Sequence, residues 1–119
     1  MKYFGILALA LAACVVITNA QSHNSLWGSI GPGDNLLDRQ IIKKSYKFLR
    51  IVTQDYTFPP PGAVLGRMIT GIRVTDQYTN GKGGYASLYA GGPGNPSVTI
   101  HFKSQRNHGF NFIVEIFGR

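Results

Sequence analysis

The last third of the chain alternates apolar and polar residues, and this pattern constrains the fold more than any other feature. One side of an extended segment 98–103 would carry Val98, Ile100 and Phe102, and the other Thr99, His101 and Lys103. After a short bend, one side of segment 110–117 would carry Phe110, Phe112, Val114 and Ile116. A period of two is typical of half-buried β-strands. The two segments therefore predict two strands separated by a bend.

Earlier segments add further strands. Residues 51–58 and 68–75 alternate in the same way, and residues 85–90 form another short candidate. The glycine-rich segments 80–84 and 91–96 are typical of turns or loops, and the prolines after Phe58 end a strand because proline cannot donate to a ladder. Six or seven short strands at this spacing predict an all-β fold, a small antiparallel sandwich or barrel.

Residues 36–50 (LLDRQIIKKSYKFLR) allow two interpretations. As a helix, the segment would place its basic residues on one side, which is typical of a membrane-surface or acidic-partner contact. Its β-branched residues and the strand that follows instead favour two strands joined near Lys44 and Ser45. We favour the strands.

The first residues resemble a secretory signal. Lys2 is followed by an uncharged apolar run from Phe4 to Ile17, and small residues precede a predicted cleavage between Ala20 and Gln21. Residues 11–14 also match the sequence before an acylated cysteine in bacterial lipoproteins, but apolar residues 15–17 then stand where a polar tether is usual. The run is too short for a comfortable membrane span. We expect a helical signal peptide, residues 1–20.

Cleavage would leave one domain, residues 21–119, without a thiol. The only cysteine, Cys14, lies in the leader, so the secreted chain would rely on burial rather than on a disulfide. With Lys2 removed, the 12 basic groups fall to 11 against 5 acidic groups, a formal charge of +6. No Asn-X-Ser/Thr sequon is present, because Pro96 occupies the middle of the one candidate.

The segment TIHFKSQRNHGFNF, residues 99–112, offers the best candidates for chemistry. His101 and His108 flank Ser104, but no carboxylate is close in sequence, and a zinc site needs three or four converging ligands. The five acidic residues are scattered, and no glycine cluster has the spacing of a phosphate-binding loop. We therefore expect a hairpin bend, with no catalytic residue, no cofactor and no metal.

The basic excess is the one global property that indicates a partner. Its densest group is the predicted anionic-partner patch of Arg39, Lys43, Lys44, Lys47 and Arg50. A field of this sign attracts nucleic acid, anionic lipid or sulfated glycans. Aromatic and arginine residues do not recur as in RNA-binding modules, so sequence-specific nucleic-acid binding is not expected. The partner is predicted to be another protein or an anionic surface, without stable membrane insertion; edge strands leave homo-oligomers open.

Several segments together resemble the insect multiprotein bridging factor 2 family. They are DQYTNGKGGYAS (76–87), GGPG (91–94), VTIHFKSQR (98–106) and GFNFIVEIFG (109–118), with GPGD (31–34) and VTQDYTFP (52–59) upstream. The resemblance implies an insect protein, secreted in most members and often labelled a salivary secreted peptide, although the family name comes from a transcriptional co-activator. It brings no catalytic residues.

Two functions follow from these observations. The first is a small secreted, non-enzymatic protein of saliva or haemolymph that acts by surface binding. The alternative is a nuclear transcriptional co-activator that bridges a regulator and basal factors through protein contacts. The leader favours the first, and so does the lack of a compact lysine-rich nuclear import run, since Lys43 and Lys44 are only a pair.

Overall fold

The computed structural model describes residues 22–63 and 66–119, which form seven β-strands in two antiparallel sheets. The strands are β1 (Ser25–Gly28), β2 (Asn35–Lys44), β3 (Thr53–Phe58), β4 (Ile69–Asp76), β5 (Tyr85–Gly91), β6 (Val98–Lys103) and β7 (Phe110–Gly118). One sheet has the order β1-β4-β7-β2 and the other β3-β6-β5. The all-β prediction is confirmed. The predicted leader, its cleavage between Ala20 and Gln21, and the lipoprotein alternative at Cys14 lie outside the described residues.

The core lies between the facing sides of the two sheets. β7 contributes every second residue from Phe110 to Ile116, and β6 contributes every second residue from Val98 to Phe102, all essentially inaccessible to solvent. The ring of Phe102 lies 5.1 Å from that of Phe112, which joins the two sheets at the centre of the core. The alternation predicted for both strands is therefore confirmed.

β4 departs from strict alternation near its start. The pairing of β4 with β7 shifts between Ile69 and Gly71, as at a β-bulge. Beyond this shift, Ile72 and Val74 point into the core, and Ile69 is buried as well although it belongs to the opposite parity. The bulge thus adds one more apolar side chain to the core than a regular strand would.

The ambiguous segment 36–50 is a strand followed by a loop. β2 runs to Lys44 and pairs with β7, which places Ile42 beside Phe112 at the edge of the core. The helical interpretation is therefore wrong, and the strand expected after Ser45 does not form. The reason is topological: residues 45–52 must cross from the sheet that contains β2 to the sheet that contains β3.

The connections between strands lie at two opposite ends of the sandwich. Residues 45–52, 77–84 and 104–109 lie together at one end, which we call the basic end. Gln105 links two of these connections, because its side-chain amide donates to the carbonyl oxygen of Gly81 over 2.7 Å. Residues 29–34 and 92–97 lie at the opposite end. No helix within residues 22–63 and 66–119 is long and apolar enough to cross a membrane.

Candidate functional site

The connection between β2 and β3, residues 45–52, exposes a group of large apolar side chains; we call it the β2–β3 loop. The exposed fractions are 62% for Tyr46, 75% for Phe48, 57% for Leu49 and 39% for Ile51. Single exposed apolar residues are ordinary on protein surfaces, but contiguous patches commonly mark interaction sites. Four such side chains within one short loop therefore form the strongest candidate for a binding surface.

Cations lie next to these apolar side chains in the sequence. Lys47 and Arg50 lie within the loop, and Lys43 and Lys44 are the last residues of β2 before it. Within the part of the chain that the structure describes, none of these four cations is within 4.0 Å of a carboxylate. Their charge is therefore not neutralised by the protein itself.

Arg39, the fifth residue of the predicted patch, is separated from the others. It lies near the middle of β2, and its Nε is 4.0 Å from Oε2 of Glu115 on β7. Glu115 also accepts a hydrogen bond from Nε of Arg73 over 2.9 Å, which raises the pKa of that guanidinium. Arg39 thus belongs to a small ion-pair network on the sheet surface. The rest of the predicted patch stays at the basic end.

The β6–β7 turn, residues 104–109, holds the tip of the loop. The backbone N–H of Leu49 donates to Oδ1 of Asn107 over 3.0 Å, and the N–H of Asn107 donates to the carbonyl oxygen of Arg50 over 2.8 Å. Nη1 of Arg106 donates to the carbonyl oxygen of Leu49 over 2.9 Å. Three hydrogen bonds thus fix two loop residues to a turn that is remote in sequence, and they bring Arg106 into the cationic group.

A second set of contacts fixes the base of the loop. Ser104 is buried, and its backbone N–H donates to the carbonyl oxygen of Val52 over 2.9 Å while its Oγ accepts from the N–H of Val52 over 2.8 Å. Gly109 packs tightly on the other side, since a Cβ there would lie 2.2 Å from the carbonyl oxygen of Lys44. The loop is therefore anchored at its tip and at both of its ends.

The hydrogen bonds hold two residues in the left-handed region of backbone conformation. Asn107 has φ 65°, which asparagine tolerates, whereas Leu49 has φ 55°, which is uncommon for a bulky residue. Such a conformation costs free energy and persists only where the surroundings enforce it. The strained backbone at Leu49 is a second reason to consider the loop a functional site, because backbone strain concentrates at such sites.

His101 and His108, the two histidines of the segment 99–112, do not form a catalytic site with Ser104. The Oγ of Ser104 is used by Val52, and the backbone N–H of His108 donates to the carbonyl oxygen of Gln105 within the turn. His101 points out from β6 as predicted, but it has a carboxylate partner that sequence proximity does not indicate. Its Nδ1 lies 2.6 Å from Oδ1 of Asp55, the residue opposite it on β3, and its ring stacks on Tyr89 at 4.5 Å.

A second histidine–aspartate pair ties the first described residues to the basic end. The backbone N–H of His23 donates to Oδ2 of Asp76 over 3.0 Å, its Nδ1 lies 3.0 Å from the carbonyl oxygen of Gly84, and its ring stacks on Tyr85. Neither histidine–aspartate pair has a third metal-binding side chain beside it. Within residues 22–63 and 66–119, no three His, Cys, Asp or Glu side chains are placed to hold a metal ion.

A cleft of about 530 Å³ lies near the opposite end of the sandwich. It is lined by Asn35, Leu36, Leu37, Phe58, Pro59, Arg67 and Pro96. Arg67 is the only ionisable group in this lining, so these residues supply no acid–base pair. The cleft is lined by the start of β2 and the end of β3, away from the β2–β3 loop.

Comparison with known proteins identifies the family. The family model described as "Transcription activator MBF2" matches residues 27–118. The chain belongs to the MBF2 family. A relative from Bombus ignitus named "Probable salivary secreted peptide" is 48% identical over 99 residues, which cover 83% of this chain and 72% of the relative. No solved structure gives a significant match. The resemblance drawn from the sequence is confirmed, and the matched region contains all seven strands except the first two residues of β1.

Proposed function

We propose that this MBF2 family protein is a secreted, non-enzymatic protein that acts by binding a partner through the β2–β3 loop. The observation that carries the proposal is the loop itself. Four exposed apolar side chains lie near cations that have no carboxylate within 4.0 Å in the described part of the chain, and hydrogen bonds to the β6–β7 turn hold the backbone of Leu49 and Arg50. Preorganisation of this kind lowers the conformational cost of binding.

Secretion is supported by two independent points. The Bombus ignitus relative carries the words "salivary secreted" in its name, and residues 1–20 have the composition of a cleavable leader. The absence of a catalytic role is proposed because the polar side chains of Ser104, Arg106 and Asn107 are used to hold the backbone of the loop.

The test of secretion is the N-terminus of the protein from cells that export it. Expression of the full chain in insect cells is expected to yield protein in the medium whose N-terminal peptide starts at Gln21, as read by mass spectrometry. Protein found only inside cells, with Met1 intact, would overturn the proposal.

The test of the binding surface uses photo-crosslinking in the native fluid. A crosslinking amino acid replaces Phe48 in one variant and Leu26, which is 59% exposed on β1, in a matched control. We expect the same discrete adducts in repeated preparations from the Phe48 variant and none of them from the Leu26 variant. Identical patterns from both positions would exclude the loop as the binding surface.

A nuclear co-activator is the second candidate, and the description of the matched family favours it. On this hypothesis the protein carries the leader but acts in the nucleus through protein contacts. Fractionation of cells that express the untagged full chain distinguishes the two functions. Protein in the nuclear fraction that precipitates with basal transcription factors supports the co-activator, whereas protein confined to the secretory pathway and medium excludes it.

A further inference from the structure

We infer that the β2–β3 loop docks the protein peripherally on anionic lipid bilayers. In this arrangement Phe48 and Leu49 enter the headgroup region, while Lys47 and Arg50 contact lipid phosphates. The inference rests on the proposed function, in which the same loop is the binding surface, and it names the partner of that surface.

The most exposed apolar side chains of the loop have cations as sequence neighbours. Phe48 has the largest exposed fraction among the large apolar residues that the structure describes, and Leu49 beside it is also more than half exposed. Lys47 precedes them and Arg50 follows them, so the apolar tip has a cation on either side. Aromatic residues and long cationic side chains are the groups that settle at a membrane–water interface, because each combines an apolar body with a polar or charged end.

The connections at the basic end carry only positive charge. The three connections there contain Lys47, Arg50, Lys82 and Arg106 and no aspartate or glutamate. Lys43, Lys44 and Lys103 stand at the strand ends beside them. Asp76, which ends β4 at the same place, is 3% exposed and is occupied by backbone N–H groups. An anionic surface would therefore attract this end from a distance. No carboxylate in these three connections would repel it.

The exposed apolar side chains of the loop do not line the cleft. They lie at the basic end, whereas the cleft lies near the opposite end of the sandwich. Apolar side chains that are exposed between cations and lie outside a cleft suit a soft, laterally uniform partner that needs no shape complementarity. A second copy of the chain is a poor occupant, because it would bring the same cations against these at close range.

The central experiment measures binding to vesicles by co-sedimentation. The protein is the form that cells produce from the full chain, and the vesicles contain phosphatidylcholine alone or phosphatidylcholine with an equal amount of phosphatidylserine. We expect binding to the mixed vesicles that weakens as salt rises, and little binding to phosphatidylcholine.

Two pairs of matched variants locate the contact. Phe48→Ser is expected to weaken binding to the mixed vesicles about tenfold, whereas Leu26→Ser, at an exposed site on β1, leaves it within about twofold. Arg50→Gln is expected to weaken binding about fivefold, whereas Arg67→Gln, which removes an exposed arginine beside the distant cleft, leaves it within about twofold. All four positions are solvent-accessible, so unchanged unfolding midpoints are expected to show that the fold is intact.

A spectroscopic measurement tests insertion of the tip. Phe48→Trp is expected to shift its fluorescence to the blue and to be quenched by brominated lipid when phosphatidylserine vesicles are added. Trp27, which packs against the core, is expected to change little in the parent protein. Equal responses from both proteins would contradict insertion at the loop.

The outcomes separate this inference from the proposed function. Failure of the parent protein to prefer phosphatidylserine vesicles, binding to heparin alone, or equal losses from Phe48→Ser and Leu26→Ser would overturn membrane docking. If the Phe48 crosslinks nevertheless identify a protein partner, the result supports the loop as the binding surface and excludes only the lipid bilayer as its partner. If the chain is never exported, the proposed function falls, whatever the vesicles show.

Discussion

Asp76 shows how a single carboxylate organises backbone at the basic end. Its side chain accepts hydrogen bonds from the backbone N–H groups of His23 and Tyr78, over 3.0 and 2.9 Å, and it is almost inaccessible to solvent. Gly83 packs so closely that a Cβ there would lie 2.5 Å from Oδ2 of Asp76. The carboxylate therefore links the segment before β1 to the end of β4 and to the connection that follows β4.

The first prediction replaces this carboxylate by an amide. Asp76→Asn puts an NH2 group where a backbone N–H needs an acceptor, so the free energy of unfolding in urea is expected to fall by about 1–3 kcal/mol. Asp55→Asn is the control, because the Asp55 side chain is 59% exposed and its pair with His101 is expected to contribute less than about 1 kcal/mol. Equal losses in the two variants would contradict the structural role of Asp76.

The second prediction concerns pH. Nε of Arg119 donates to Oδ1 of Asp34, and the N–H of Gly31 donates to Oδ2, both over 2.7 Å. The hydrogen bond from Arg119, with that from Gly31, lowers the pKa of Asp34. A lowered folded-state pKa stabilises the fold above the unfolded-state value, about 3.9, and this stabilisation is lost as pH falls through the folded-state value.

Asp34→Asn is therefore expected to melt at a lower temperature than the parent protein near neutral pH. The difference is expected to shrink below about pH 4, because there the carboxyl of the unfolded parent chain binds a proton more readily than that of the folded protein. Arg119→Gln removes the larger cause of the shift and is expected to follow the same pH dependence. A difference in melting temperature between parent and variant that stays constant down to pH 2 would contradict a lowered pKa for Asp34.

At the scale of elements, the β2–β3 loop and the β6–β7 turn act as one unit. The loop carries the exposed side chains, and the turn supplies the hydrogen bonds that fix its backbone. The contacts join residues that are 57 and 58 positions apart in the chain. The conformation of the loop is therefore a tertiary property, and changes in the turn are expected to alter the loop.

The third prediction tests the strain at Leu49. Glycine adopts a positive φ freely, whereas alanine carries the same Cβ penalty as leucine. Leu49→Gly is therefore expected to be more stable than Leu49→Ala by about 1 kcal/mol in urea unfolding. Equal stabilities would show that Leu49 is not held in the left-handed region in solution.

The fourth prediction tests the packing of the turn against the loop. Gly109→Ala would place a Cβ 2.2 Å from the carbonyl oxygen of Lys44, so the end of β2 or the turn must shift. The thermal midpoint is expected to fall by several degrees, the effect of a loss of about 1 kcal/mol or more. Gly33→Ala is the matched control, because a Cβ there would meet nothing within 4 Å, and its midpoint is expected to stay near that of the parent.

At the scale of the whole molecule, one aromatic cluster joins the two sheets. Phe102 from β6 lies within 5.1–6.0 Å of Phe112 and Phe110 from β7, measured between ring centroids. The chain has a single cysteine, so no intramolecular disulfide can reinforce this contact. Stability must therefore come from burial shared by both sheets, and the two sheets are expected to unfold together.

The fifth prediction truncates this cluster. Phe112→Ala is expected to lower the free energy of unfolding by about 3–5 kcal/mol, and Phe48→Ala, at the exposed loop, by less than about 0.5 kcal/mol. In both variants the transition seen by Trp27 fluorescence is expected to coincide with that seen by circular dichroism. Separate transitions would mean that the sheet containing β1 unfolds independently of the other.

Local sequence is enough to predict which strands alternate and where proline ends a strand. Phe102 and Val114 face the core because a period of two places every second residue on one side, and Phe58 ends β3 because three prolines follow it. These are local effects of side-chain chemistry and backbone geometry, so neighbouring residues suffice to predict them.

The order of the strands and the form of the candidate site depend on contacts between residues that are distant in the sequence. Basic and apolar residues are mixed in KKSYKFLRI without a clear period, so the sequence left open whether the segment is helix, strand or loop. The crossing between sheets made residues 45–52 a loop, and hydrogen bonds from Arg106 and Asn107 fixed it. His101 likewise acquired Asp55 as a partner only through the pairing of β3 with β6, because contacts between distant residues depend on the whole fold.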